Sequence, residues 1–185
     1  MTADRGKLAV MQNHDDPRQG RLRQAGALLG AVGVYAAAQG ISAWAAQRGP
    51  GRGTRSAYQQ FQRPAFAPPG AVFPVAWSAL NLTTAASAWR VWRSGGAAAA
   101  PDRREALAWW ALAVAVRSGY LPLAFGRRQL WAATADAALL CGVMTRYAFL
   151  ARRLDETAAV LALPEIGWTA FATALSTAVA AGNDS

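Results

Sequence analysis

The chain has 185 residues and a formal net charge of +9, yet only 16% of it is charged against 54% hydrophobic, with 17 glycines. Its single cysteine, Cys141, excludes an internal disulfide or paired-cysteine haem attachment, and its single histidine, His14, lies in a polar N-terminal stretch, so a buried imidazole ligand for iron or zinc and Ser/His/Asp catalysis are excluded. The arginines are scattered over connecting segments instead of lining a groove with aromatics, and no phosphate-binding glycine motif occurs, which argues against nucleic acid or nucleotide as partner.

Five stretches are nearly free of charge: 25–46, 71–92, 106–125, 130–150 and 157–181. Each is long enough to cross a bilayer as a helix, so the predicted fold is all-α, an integral membrane five-helix bundle over 25–183; a soluble bundle with alanine-rich core helices is the alternative. Residues 1–24 read as a disordered basic tail. Ala43-Trp44-Ala45 fits a small-x-small cleavage site, but the apolar run before it is too long for a signal peptide and reads as a retained anchor. On that first span Gly26, Gly30, Gly33, Ala37 and Gly40 form a smooth stripe suited to close helix approach, within the bundle or across a homodimer.

The connection from Gln47 to Gly70 carries Tyr58, Phe61 and Phe66. It is either a functional cover or a linker whose rings anchor at the membrane interface. Pro64, Pro68 and Pro69 then end any preceding helix and start the second span, on which Trp77, Asn81, Thr84 and Ala88 share one face. Arg63, Pro64, Phe66, Pro68, Pro69, Phe73 and Trp77 together resemble the second transmembrane helix of the TspO/MBR family, the tryptophan-rich sensory or translocator proteins. The resemblance implies a divergent bacterial member, with the aromatic connection covering a ligand pocket and Tyr58 matching an aromatic of that cover.

The third span places Trp110, Ala113, Arg117, Tyr120 and Ala124 on one face, and its end, Tyr120 to Gly126, resembles the family's corresponding segment. The family has an asparagine where this chain has Arg117. A charge at that depth costs about 2.5 kcal/mol or more on the lenient insertion scale, so it needs a partner. The fourth span resembles the family through Gly126, Arg128, Gln129 and Asp136. Arg117 and Asp136 lie equally far from the turn between these spans, and the reading pairs them across the hairpin. Farther along, Arg146 reads as snorkelling to lipid phosphates, and Val143 through Tyr147 to Arg152 meets a loose cholesterol pattern.

The fifth span keeps the family's Ala158, Ala159, Leu161, Pro164, Trp168, Phe171 and Leu175, while Glu165 replaces a tyrosine and Ser176 an asparagine. Pro164 leaves the carbonyl of Val160 without its helical donor, which predicts a bend or a local polar site. Glu165, Trp168 and Ala172 share a face, and a carboxyl there must be protonated, paired or open to water.

By resemblance, a pocket under the first connection is lined by Tyr58, Trp77, Asn81, Arg117, Tyr120, Asp136, Glu165, Trp168 and Ala172, and holds a tetrapyrrole or other hydrophobic small molecule in a regulatory, transport or stress role. Trp and Tyr rings suit a flat conjugated ligand. The resemblance also implies an alternative, light-dependent porphyrin degradation using Trp77 and Trp168; the departure at Arg117 offers another, an anionic lipid or metabolite held by that arginine. Neither needs a resident metal or cofactor. Eleven lysines and arginines fall in the tail and the second and fourth connections (Arg90 counted with the second), against six in the first and third. That excess places the N-terminus in the cytoplasm, with membrane lipids around the bundle, and the resemblance implies a bacterial cell membrane.

Overall fold

The structure, a computed structural model, describes residues 61–126 and 129–183 together with isolated positions between 26 and 44. Those isolated positions of the first span are all helical. The tail, and with it the reading of residues 1–24, lies outside the described residues, as does Tyr58. Four long helices follow: α1 (Val72–Arg93), α2 (Ala100–Leu121), α3 (Leu130–Leu154) and α4 (Glu156–Gly182). They are the second to fifth predicted spans. Among the described residues the regular structure is entirely helical.

The helix ends follow local chemistry. The proline segment forms two turns, Ala67 N–H to Pro64 C=O at 3.0 Å and Val72 N–H to Pro69 C=O at 2.9 Å, and the second opens α1. At its far end α1 stops where Ser94 becomes extended and Gly95 takes φ +72°, a left-handed stop suited to glycine. Arg103 of α2 donates to the Ser94 carbonyl at 2.9 Å and fixes this corner. α2 begins at Ala100, earlier than the predicted 106, because Pro101 and Asp102 are favourable in a first turn even though they are polar or outside the apolar run. It ends in a π-helical turn, Pro122–Gly126.

α3 passes into α4 through the single extended residue Asp155. Its carboxylate caps α4 by accepting from the Ala158 N–H at 2.8 Å and takes Arg90 in a two-point contact, 3.0 Å from Nε and 2.9 Å from Nη2. The tight hairpin makes α3 and α4 the most extensively packed pair. α2 lies on α3, and α1 lies on α4 with a lighter contact to α2. Alanines Ala106, Ala113, Ala148, Ala151, Ala158, Ala159 and Ala162 form much of this core and let the backbones approach closely. α4 continues through Pro164 as one helix.

Several large apolar side chains point outward: Val75, Leu82, Leu112, Leu139, Phe149, Val160 and Leu163 are all exposed. Six polar ones, Thr84, Ser87, Arg117, Glu165, Thr169 and Ser176, are buried beside the apolar core. An apolar exterior around buried polar groups suits a hydrocarbon solvent. Among the described residues two helical stretches, Ala97–Phe125 and Glu156–Gly182, are long and apolar enough to cross a membrane by composition.

The loose cholesterol pattern does not survive. Tyr147 is wholly buried and Val143 nearly so. The Tyr147 hydroxyl lies 2.7 Å from Ser87 Oγ, which donates to the Ala158 carbonyl at 2.6 Å, so the ring ties α1, α3 and α4 together instead of facing lipid. Arg146 bridges to Glu105 of α2 at 2.8 Å.

Candidate functional site

The face of α1 expected to look inward does so, and it meets Arg117 of α2. The Arg117 guanidinium donates through Nη1 to Asn81 Oδ1 and forms an ion pair through Nη2 with Glu165 Oε1 of α4. Its carbon stands 5.0 Å from the centre of the Trp77 ring, within cation–π range. The second carboxylate oxygen, Oε2, lies 2.5 Å from Thr84 Oγ1. Arg117 is 3% exposed and Glu165 0%. Desolvating such a pair costs several kcal/mol per ion, and it persists only where further hydrogen bonds satisfy the remaining polar atoms. Asn81 and Thr84 supply two such bonds and the Trp77 face a cation–π contact, so one polar knot joins three helices.

The expected Arg117–Asp136 pair is therefore replaced by Arg117–Glu165. Asp136 faces Gly119: a Cβ placed on that glycine would lie 2.8 Å from Asp136 Oδ1. At about 100° per residue, positions 117 and 119 lie on nearly opposite sides of α2. The residue that meets α3 is thus Gly119, and Arg117 points toward α1 and α4. Asp136 Oδ2 is buried without a hydrogen-bond partner among the described residues.

From this knot a column of rings runs toward the proline segment. Trp77 and Trp168 meet edge to face at 6.3 Å, Phe73 and Trp168 at 6.0 Å, and Phe171 and Phe66 at 6.4 Å, while Trp168 and Phe171 are tilted at 5.6 Å. The indole nitrogen of Trp168 is buried with no hydrogen-bond partner among the described residues. The proline segment that carries Phe66 also lines a cleft of about 470 Å³, formed by Phe61, Arg63, Pro64, Ala67 and Pro69. Neither Trp77 nor Arg117 lines this cleft; Trp77 packs its ring on Trp168 and beneath the Arg117 guanidinium. The strap over this end is pinned: Gln62 N–H donates to Asn183 Oδ1 and Asn183 Nδ2 to the Gln62 carbonyl, both at 3.0 Å.

Of the other sequence candidates, Tyr120 is half-buried, with its hydroxyl 2.7 Å from Ser176 Oγ, and links α2 to α4. Ala172 is half-buried on α4, one turn beyond Trp168. The structure thus gathers Trp77, Asn81, Arg117, Glu165 and Trp168 into one constellation, sets Tyr120 with Ser176 on α2 and α4, and places Asp136 at the α2–α3 seam. Sequence reasoning passed over Thr84 as a site residue, although it lies three residues beyond Asn81 on the same face. It also passed over Phe73 and Phe171, whose positions in the aromatic pattern were the available signal.

Comparison with known proteins agrees with this architecture. Residues 27–181 match the TspO/MBR family. The chain is 31% identical over 122 residues to protein CrtK of Rhodobacter capsulatus, covering 66% of this chain and 75% of that protein. It is 31% identical over 125 residues to a tryptophan-rich sensory protein of Cereibacter sphaeroides (64% and 72%) and 29% identical over 119 residues to the translocator protein of Ovis aries (64% and 70%).

Proposed function

The chain belongs to the TspO/MBR family of membrane proteins, and on that premise we propose that it binds a flat hydrophobic ligand of the tetrapyrrole type between α1 and α4, in a regulatory, transport or stress role. The first span supplies a fifth membrane helix to a single domain over 25–183, and the N-terminus is cytoplasmic, in a bacterial cell membrane. The observation that carries the ligand reading is the ring column Phe66–Phe171–Trp168–Trp77, which runs to a buried arginine from the proline segment, whose residues on either side of Phe66 line a cleft. Aromatic walls bury and stack a conjugated ring, and a guanidinium holds a carboxylate substituent.

Titrating the purified protein with protoporphyrin in the dark, while following tryptophan emission, tests this. Saturable quenching that weakens in Trp168→Phe supports the reading; unsaturable quenching, unchanged in that variant, refutes it.

One observation favours a second reading, light-dependent degradation of the same ligand. The Trp77 and Trp168 rings touch each other, so one bound porphyrin would contact both indoles. Illumination of the complex separates the two: photoproducts lost in Trp77→Phe indicate an enzyme, and an unchanged porphyrin spectrum indicates a binder.

A further inference from the structure

Arg117 already holds a carboxylate, and that carboxylate belongs to the chain. Resting on the ligand reading above, we propose that Glu165 is a built-in occupant of a carboxylate site, so that the ligand class is an amphiphile with a hydrophobic body and a carboxylate head, and Glu165 sets access to it. Three observations carry this.

The planar guanidinium fork is held by Asn81 on one arm and by the Trp77 face, neither of which depends on Glu165. An arriving carboxylate would find it oriented. Thr84, the other partner of Glu165, has a second acceptor: its hydroxyl lies 2.7 Å from the Leu80 carbonyl as well as 2.5 Å from Glu165. One hydroxyl has one proton for these two acceptors, so Thr84 stays satisfied when Glu165 leaves. The buried indole N–H of Trp168, three residues from Glu165 on the same helix, has no acceptor among the described residues, and a ligand carbonyl or carboxylate oxygen would supply one.

Charge is conserved in the exchange. A ligand entering as the neutral acid gives its proton to Glu165: its O–H bond breaks, an O–H bond forms on Glu165, and the new carboxylate pairs with Arg117. The interior holds one cation and one anion before and after.

The test uses the full chain in lipid nanodiscs with two probes, protoporphyrin IX free acid and its dimethyl ester, read by tryptophan quenching. Glu165→Gln mimics the neutral side chain and is expected to bind the free acid at least about tenfold more tightly, the scale of one hydrogen bond to a charged group, with ester binding unchanged. Arg117→Gln/Glu165→Gln removes both charges and should bind acid and ester alike. An acid-to-ester ratio that stays at the wild-type value in Glu165→Gln overturns the proposal while leaving the ligand reading intact. Absence of binding by either probe to every form overturns both. Should Glu165→Gln not fold, Glu165→Asp, whose shorter side chain withdraws from Arg117, must shift the ratio in the same direction, and no shift has the same meaning.

Discussion

Arg117 and Glu165 are each ruinous alone in a dry interior and tolerable together. Arg117→Met, which strands the Glu165 carboxylate, should therefore lower stability by about 3–5 kcal/mol. Arg117→Met/Glu165→Leu should lose much less; thermal unfolding in detergent distinguishes them, and a double variant no better than the single would contradict the pairing. Arg117 and Glu165 thus compensate each other across α2 and α4. The sequence made both visible as polar residues on inward faces. It did not reveal which carboxylate Arg117 takes, because a two-residue difference in register on α2 turns a side chain to the opposite side of the helix.

At the end of the bundle opposite the cleft, burial acts to raise the pKa of Asp155, but the hydrogen bond and charge of Arg90 and the N–H groups of Ala158 and Thr157 outweigh it and hold the carboxyl below its ordinary 3.8. A depressed carboxylate contributes stability above the unfolded-state value and loses it as pH falls through the folded one. Wild type should unfold at a higher temperature than Asp155→Asn at neutral pH, with the gap closing below about pH 3.8. A gap independent of pH would show that the charge is not responsible.

Between elements, the α2–α3 seam offers the sharpest test of register. Alanine in place of a helical glycine ordinarily gains about 1 kcal/mol. At Gly119 the new methyl would meet Asp136 Oδ1 at 2.8 Å, so Gly119→Ala should gain less than that or lose stability. In an Asp136→Ala background the same change should recover its gain, giving a coupling of about 0.5–3 kcal/mol. Additive effects would place Asp136 elsewhere. Four of the five predicted spans match described helices to within about six residues, because prolines and charge-free runs mark their limits. The errors lie at α2 and α3, where the helix runs on past its apolar stretch into polar ends that hydropathy alone discounts. Tyr147 illustrates a related gap: its neighbours in sequence suggest a lipid-facing pattern, yet its Ser87 partner is 60 residues away.

For the whole molecule, the basic end of the bundle and the cleft end must face opposite compartments. In a Cys141→Ser background a membrane-impermeant maleimide should label Gln62→Cys in intact cells and Ala97→Cys only after permeabilisation. The reverse pattern would invert the topology. The ligand account makes a stricter demand. With six of the eight tryptophans replaced by phenylalanine, leaving only Trp77 and Trp168, protoporphyrin should quench the remaining emission saturably and with wild-type affinity. If that emission survives while wild type is still quenched, the porphyrin binds somewhere other than the ring column that leads to Arg117.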